Sequence, residues 1–228
     1  FNPTLAEDGF VSDHTVVQIV NDNMPFLVDS VTMAINRSNR TAHWIVHPLL
    51  SVARDAKGNV QSVTSAASAA AAGRTDPVES LIQVECDRIV GAAEQQALAD
   101  ELQSVLNDVR SAVQDWSAML ERARTVAAEA SRSPLSPAER HEGVAFLSWL
   151  EDRHFTFLGA RDYDLKRDGG VVRLVAKPET GLGILRGPVQ TPETVLPPEA
   201  VALLESNELV LITKAMTRAT VHRPAWLD

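Results

Sequence analysis

A single cysteine, Cys86, stands in 228 residues, so no disulfide can close within the chain and a reducing, cytoplasmic setting is the simpler expectation. Positive charge is also short. Lysine and arginine number 21 against 30 aspartates and glutamates, a formal net charge of −9, which argues against a nucleic-acid-binding surface. No apolar run approaches the roughly 20 residues that a membrane helix needs. The Gly-x-Ser-x-Gly elbow of serine hydrolases is missing. His141-Glu142 lacks the second histidine of a zinc helix. His43 and His47, if on one strand, lie roughly 13 Å apart, too far to share an ion. No metal site and no complete catalytic constellation is therefore expected. The first residue is Phe1, no signal-peptide pattern follows, and Ala225–Asp228 end without a tail. The expectation is a fragment of something longer.

What is present is a core, with 45% of residues apolar. The chain is organised around Thr15 to Leu50. Thr15–Val20 is a β-branched apolar run, the pattern of a buried strand. Asn21, Asp22 and Asn23 follow and read as turn and cap residues. Pro25 fits a first helical turn, where its missing N–H has no intrahelical partner. Leu27, Val31, Ala34 and Ile35 then recur at helical spacing up to Arg37. A second strand runs from His43 to about Val52, with Pro48 marking an edge position or a bulge. Strand, polar elbow and helix start form an anion-attracting geometry, because the first helical N–H groups are free.

Asp55, Lys57, Gly58 and Asn59 read as a turn, with Val60–Val63 returning as a hairpin. Residues 64–77 (TSAASAAAAGRTDP) read as a flexible loop, either a hinge or lid or simply a solvated connection. Ser80–Glu85 is an alternating strand. From Ala92 to Ala130 a heptad-like stripe (Leu98, Leu102, Val105, Leu106, Val109, Val113, Trp116, Leu120, Ala123) predicts one long helix or two joined near Asp115 to Ser117. Unbroken, it would span roughly 55 Å, so part of its stripe needs another helix, domain or subunit. Ser131–Pro137 reads as a linker and Ala138–Leu150 as a further helix. His154–Leu165 is read as a strand, Asp168-Gly169-Gly170 as a turn, and Val171–Ala176 as its hairpin partner. His154 and Arg153 are expected to pair with acidic neighbours at the surface. Pro197–Glu205 is read as a short helix, with strands at Leu209–Thr213 and Arg218–Arg223.

The glycines of Thr180–Gly187 do not make a dinucleotide loop. The third is one place late for G-x-G-x-x-G, and Pro178 and Pro188 flank it, so a β-turn or bulge is expected. Arg186 beside it is placed to receive an anion or a partner's carboxylate. The order of elements gives an α+β class: a ferredoxin-like βαββαβ domain with extended helices over residues 1–130, a linker at 131–137, and a smaller helix plus β-rich mixed α/β segment over 138–228.

The elbow MPFLVDSV (Met24–Val31) resembles the loop-helix signature of ACT regulatory domains. IVNDNMPFLVDSV, HPLL, FLSWLEDRHFTFLGARDYDL, TGLGILRG and RATVHRP together resemble the N-terminal part of the large bacterial NAD-dependent glutamate dehydrogenases. The resemblance runs from about Thr15 to Asp228. It implies an ACT-like region ahead of a distant catalytic domain, in a parent that oxidatively deaminates glutamate to 2-oxoglutarate. NAD would be held by that domain, with no cofactor in this chain. The fragment would be non-catalytic and regulatory or architectural, with the rest of the parent chain, other subunits of a homo-oligomer and a small amino-acid effector as partners. A ligand-free oligomerisation scaffold is the alternative. Amino-acid-binding ACT domains usually carry glycine after the elbow proline, where this chain has Phe26. Asn21, Asp22, Asn23, Phe26 and Asp29 are the candidate effector-binding residues.

Overall fold

The computed structural model describes residues 1–189, 191–206, 209–214 and 219–222, apart from the side chain of Arg153. Its contacts fall into two units, Phe1–Val109 joined by the segment from Ala219, and Arg110–Arg218. This differs from a first domain running to residue 130.

In the first unit a short helix α1 (Leu5–Asp8) precedes β1 (Thr15–Asp22), α2 (Leu27–Arg37), β2 (Ala42–Val46), β3 (Leu49–Arg54), β4 (Val60–Ser65), α3 (Ala66–Ala71), β5 (Val78–Cys86) and α4 (Ala92–Gln114). The strands form one antiparallel sheet in the order β1-β5-β3-β4, and β2 also pairs with β5. Along β5 the side chains of Ser80, Ile82, Val84 and Cys86 are buried and the intervening ones less so, the period-two pattern of a sheet covered on one face. Its register sets Thr15 opposite Cys86 and Asn21 opposite Ser80. Val31 and Ile35 of α2 and Val109 of α4 are fully buried, and Leu27 nearly so. Each such side chain contributes about 1.5–3 kcal/mol.

The expected strand from His43 to Val52 is two strands laid end to end on β5. The break falls at His47-Pro48, because Pro48 has no N–H for a ladder. Its carbonyl still accepts the Leu81 N–H at 3.2 Å, which carries β5 across the gap. The turn before β4 forms as expected: the Asp55 carboxylate accepts the N–H groups of Lys57 and Asn59, both at 2.9 Å. These bonds, led by those from Asn59, hold the Asp55 carboxyl below its ordinary range. The flexible loop expected at 64–77 is instead the end of β4 followed by α3. Ser65 caps that helix, its Oγ accepting the Ser68 N–H at 3.1 Å, and Ala69 is buried. A run of alanines has the highest helix propensity there is, and one cap and one buried face suffice to use it.

The stripe on α4 needs no second subunit. Leu98, Leu102, Val105, Leu106 and Val109 are at most 8% exposed within the chain. Residues 219–222 close over α2: the Arg37 guanidinium donates to the Ala219 carbonyl and meets the His222 ring, the His222 N–H donates to Ser30 Oγ at 3.0 Å, and Val221 is buried. No strand forms at these residues; Arg218 and Arg223, the ends of the expected strand, lie outside the described residues.

In the second unit α5 (Trp116–Ala130) and α6 (Pro137–Trp149) pack together. Asp115, with φ −91° and ψ 3°, separates α5 from α4, so the long helix is two. Ser131–Ser136 is a short helix-to-helix connection inside this unit, in place of the expected interdomain linker. Ser136 and Glu139 form a capping box, and the Arg140 guanidinium donates to the carbonyls of Ser133 and Leu135. Serine and proline punctuate a helix start as readily as a domain boundary.

A π-helical turn, Leu150–His154, extends α6 into the region read as strand. The His154 ring stacks on Trp149 at 4.9 Å in place of an acidic partner. Phe155 and Phe157 meet each other, ring centroids 5.7 Å apart, and strand geometry begins only at β6 (Gly159–Ala160). The hairpin of β7 (Tyr163–Asp168) and β8 (Val171–Ala176) turns at Gly169-Gly170, both at positive φ. A 3-10 turn (Pro178–Thr180) leads to β9 (Leu182–Gly183), which pairs with β6. Strand β10 (Glu193–Val195) joins β8, and α7 (Pro198–Leu204) follows. Residues 209–214 form no strand.

The glycine-rich segment is a turn, as expected, and its anion is the protein's own. Asp115, 6% exposed, accepts the Gly183 N–H at 2.8 Å and Arg186 Nε at 2.9 Å, and its second oxygen takes the Arg186 terminal nitrogen. Gly183 sits at φ 59°, and a Cβ there would lie 2.1 Å from the Leu158 carbonyl oxygen. Breaking a buried ion pair of this kind costs about 3–5 kcal/mol. Because Arg186 is half exposed, Asp115→Ala is expected to cost somewhat less, about 2–4 kcal/mol in denaturant titration. Gly183→Ala should destabilise at least as much, and Asp115→Asn less. A loss below about 0.5 kcal/mol for Asp115→Ala would show that the loop is held by other means.

Candidate functional site

The elbow forms because β1 runs two residues beyond its apolar stretch. Asn21 and Asp22 are strand residues opposite Ser80 and Glu79, and Asn23 still donates its N–H to the Val78 carbonyl at 3.1 Å. None of the three caps α2, contrary to the sequence expectation. The ladder with β5 claims their backbone first, and capping preference yields to it. Asn21 is buried, its side-chain amide donating to the Asp22 carbonyl at 2.8 Å; the Asp22 side chain is exposed.

The position before α2 belongs to Phe26, with φ 72° and no side-chain capping bond. Pro25 therefore precedes the cap and is not in the first turn. A left-handed conformation costs a residue with a Cβ about 1–2 kcal/mol. Phe26 thus occupies a backbone that glycine adopts freely, and its side chain is half-buried. The first intrahelical bond runs from the Ser30 N–H to the Phe26 carbonyl at 3.0 Å. The N–H groups of Leu27, Val28 and Asp29 precede it and have no partner within the helix. Asp29 stands in this first turn, where the helix dipole favours a carboxylate.

Behind the elbow lies a polar string that the sequence reading passed over. The fully buried Ser80 hydroxyl donates to Asn23 Oδ1 at 3.0 Å, and His47 Nε2 lies 3.0 Å from Ser80 Oγ. The hydroxyl's one proton goes to Asn23, so His47 must present an N–H at Nε2. The string ties the end of β1 to β5 and to the break between β2 and β3. It is not a nucleophile and base: Ser80 is out of solvent and the bond runs away from histidine. The available signal was Ser80 itself, the one polar residue in the inward series Ser80, Ile82, Val84, Cys86, since a buried hydroxyl needs partners.

His43, four residues from His47, belongs to a different cluster. It meets Asp87 at 2.6 Å and stacks on His14 at 4.4 Å, and His14 faces Glu85 at 3.4 Å. The Thr41 N–H first, and then His43, hold the Asp87 carboxyl below its ordinary range. Among the described residues no three histidine, cysteine, aspartate or glutamate side chains converge as a metal ion requires. Cys86 is buried in the sheet, and burial pushes its thiol up, away from reactivity.

Of the sequence candidates, then, Asn21, Asp22, Asn23, Phe26 and Asp29 line one strand-to-helix elbow, with Asn23 joined by Ser80 and His47. An exposed carboxylate at Asp22 and the N–H groups at the helix start, which have no intrahelical partner, have the charges to receive a small zwitterion.

Comparison with known proteins bears on the same region. Residues 1–102 match the family described as glutamate dehydrogenase, ACT1 domain. Over 236 residues the chain is 35% identical to the NAD-specific glutamate dehydrogenase of Halomonas elongata, and over 235 residues 35% identical to that of Pseudomonas aeruginosa. All of this chain is covered in both comparisons, yet it spans only 14% of each relative's length. Over residues 1–102, then, the chain is similar to the ACT1 domain of glutamate dehydrogenases.

Proposed function

We propose that this chain is a non-catalytic, regulatory segment of a large NAD-dependent glutamate dehydrogenase. The parent would oxidatively deaminate L-glutamate to 2-oxoglutarate, with NAD bound in a catalytic region outside this chain. Support comes from the names of the two relatives and from the 14% of their length that the chain spans. The first unit is read as a ferredoxin-like ACT domain. The parent is a cytoplasmic homo-oligomer in this reading, and the segment couples effector binding at the elbow to the distant active site.

One observation carries the effector reading: at the exposed Asn23 the strand end that leads to the helix start is tied to the buried Ser80 hydroxyl and, through it, to His47. An amino acid would place its carboxylate on the N–H groups of Leu27 and Val28 and its ammonium group toward Asp22. The left-handed Phe26 favours the second reading, a ligand-free scaffold, because its side chain stands where an approaching ligand needs room. Self-association through the α4 stripe is not part of that scaffold, since the stripe is already buried.

Thermal-shift and calorimetric titration with free amino acids, 2-oxoglutarate and NAD separates the two. A ligand that binds the folded state at a hundred times its Kd stabilises it by about 2.7 kcal/mol. One amino acid is expected to raise the midpoint, Asp22→Ala and Asn23→Ala to abolish the rise, and Phe26→Gly to enlarge it. No shift at millimolar concentration, with Phe26→Gly included, would leave only the scaffold. The chain by itself is expected to show no glutamate-dependent reduction of NAD; measurable turnover would sink both readings.

A further inference from the structure

Among the described residues the outer edge of β1 is unfinished. In an antiparallel ladder alternate residues bond to alternate sides. Asn23 bonds to Val78 on β5, so the odd-numbered residues of β1 face β5, and the N–H and C=O groups of Gln18, Val20 and Asp22 face away. Among the described residues no strand pairs with that side. Val20 is 63% exposed, and Gln18 is exposed as well. No proline, lysine or bulge guards this edge, which leaves it an open template for another strand.

One residue already occupies it. Phe1 N donates to the Val16 carbonyl at 3.0 Å, and the Val16 N–H donates to the Phe1 carbonyl at 2.9 Å. Two residues that exchange both bonds are an antiparallel pair. The direction is therefore set: chain leading into Phe1 would run antiparallel to β1, from beside Val20 to beside Val17. Beside that path lies a groove of about 330 Å³, lined by Val17, Gln18, Ile89, Leu98 and Leu102 between β1 and α4.

We propose that the segment immediately preceding Phe1 in the longer protein is a strand that completes this sheet on the outer edge of β1. Its register follows from the Phe1–Val16 pair. The first and third residues before Phe1 stand opposite Val17 and Ile19, on the side of the groove, and are apolar. The second and fourth stand opposite Gln18 and Val20 and close the free backbone groups there. The relatives are far longer than this chain, which spans 14% of each. The proposal is independent of whether the elbow binds an effector.

Residue-resolved amide exchange on the full-length protein tests it. The amides of Gln18 and Val20 should be protected at least a hundredfold over free-chain rates, like those of Val17 and Ile19. Deleting the five or so residues before Phe1 should release Gln18 and Val20 and leave Val17 and Ile19 protected. Should that deletion fail to fold, Gln18→Pro in the intact chain removes one outward N–H, which a bare edge tolerates and a paired one does not. A lowered melting midpoint with faster exchange at Val20 supports the added strand. Free exchange of Gln18 and Val20 in the intact protein, protection that survives the deletion, or a neutral Gln18→Pro overturns it.

Discussion

Everything in the first unit depends on β5 being bonded along both edges. It takes β1 on one side and β2 and then β3 on the other, so three strands find their places through nine residues. The alternation along β5 then decides what the helices can cover: Ile82, Val84 and Cys86 on the inward face, with Ser80 the exception. That exception shapes the site. A hydroxyl taken fully out of water costs on the order of 1–3 kcal/mol unless it is bonded. Asn23 and His47 supply those bonds, and in doing so they hold the elbow against the break at Pro48. The elbow is thus positioned by the need to satisfy one buried oxygen.

The same arithmetic organises the second unit. A buried carboxylate is tolerable only when paired and fully bonded. Asp115 draws in Arg186 and the Gly183 N–H, and the close approach of Gly183 to Leu158 excludes any residue with a Cβ. A glycine-rich loop with a neighbouring arginine has the chemistry to hold an external anion. Here an internal carboxylate fills that role, and the loop's polar groups are spent on folding.

What could be read from the sequence was what local pattern determines. The apolar run Thr15–Val20, the helical spacing of Leu27 to Ile35, the Asp55–Asn59 turn and the Gly169-Gly170 hairpin are all present, because each is specified within a few residues. What could not be read depended on partners distant in sequence. Asn21 and Asp22 have the chemistry of caps, but the ladder to Ser80 and Glu79 keeps them in strand. Pro48 signals an irregularity without saying whether it is an edge, a bulge or a break, and the Leu81 N–H decides. The alanines after Ser65 carry no large side chain, so the segment was read as mobile, yet propensity and one cap make a helix. The elbow residues cluster within nine positions of the sequence; His47 and Ser80 meet across 33 positions, a contact that local pattern does not carry.

Phe26 shows how finely the elbow is balanced. Its left-handed backbone costs about 1–2 kcal/mol relative to glycine. Full burial of a phenylalanine side chain is worth about 1.5–3 kcal/mol, so a half-buried one returns roughly half of that. The two terms nearly cancel, and the residue persists without strong net stabilisation. In the effector reading a ligand would have to displace this side chain and forfeit its burial while the backbone penalty stays, which is why Phe26 counts toward the scaffold. Asp29 works the other way. Its carboxylate already answers the dipole of α2, so an arriving anion meets a helix start that is partly neutralised. A zwitterion avoids the conflict, because its ammonium group can offset the charge its carboxylate encounters. In the proposed effector reading the elbow would thus discriminate by charge before shape, favouring an amino acid over a simple dicarboxylate such as 2-oxoglutarate.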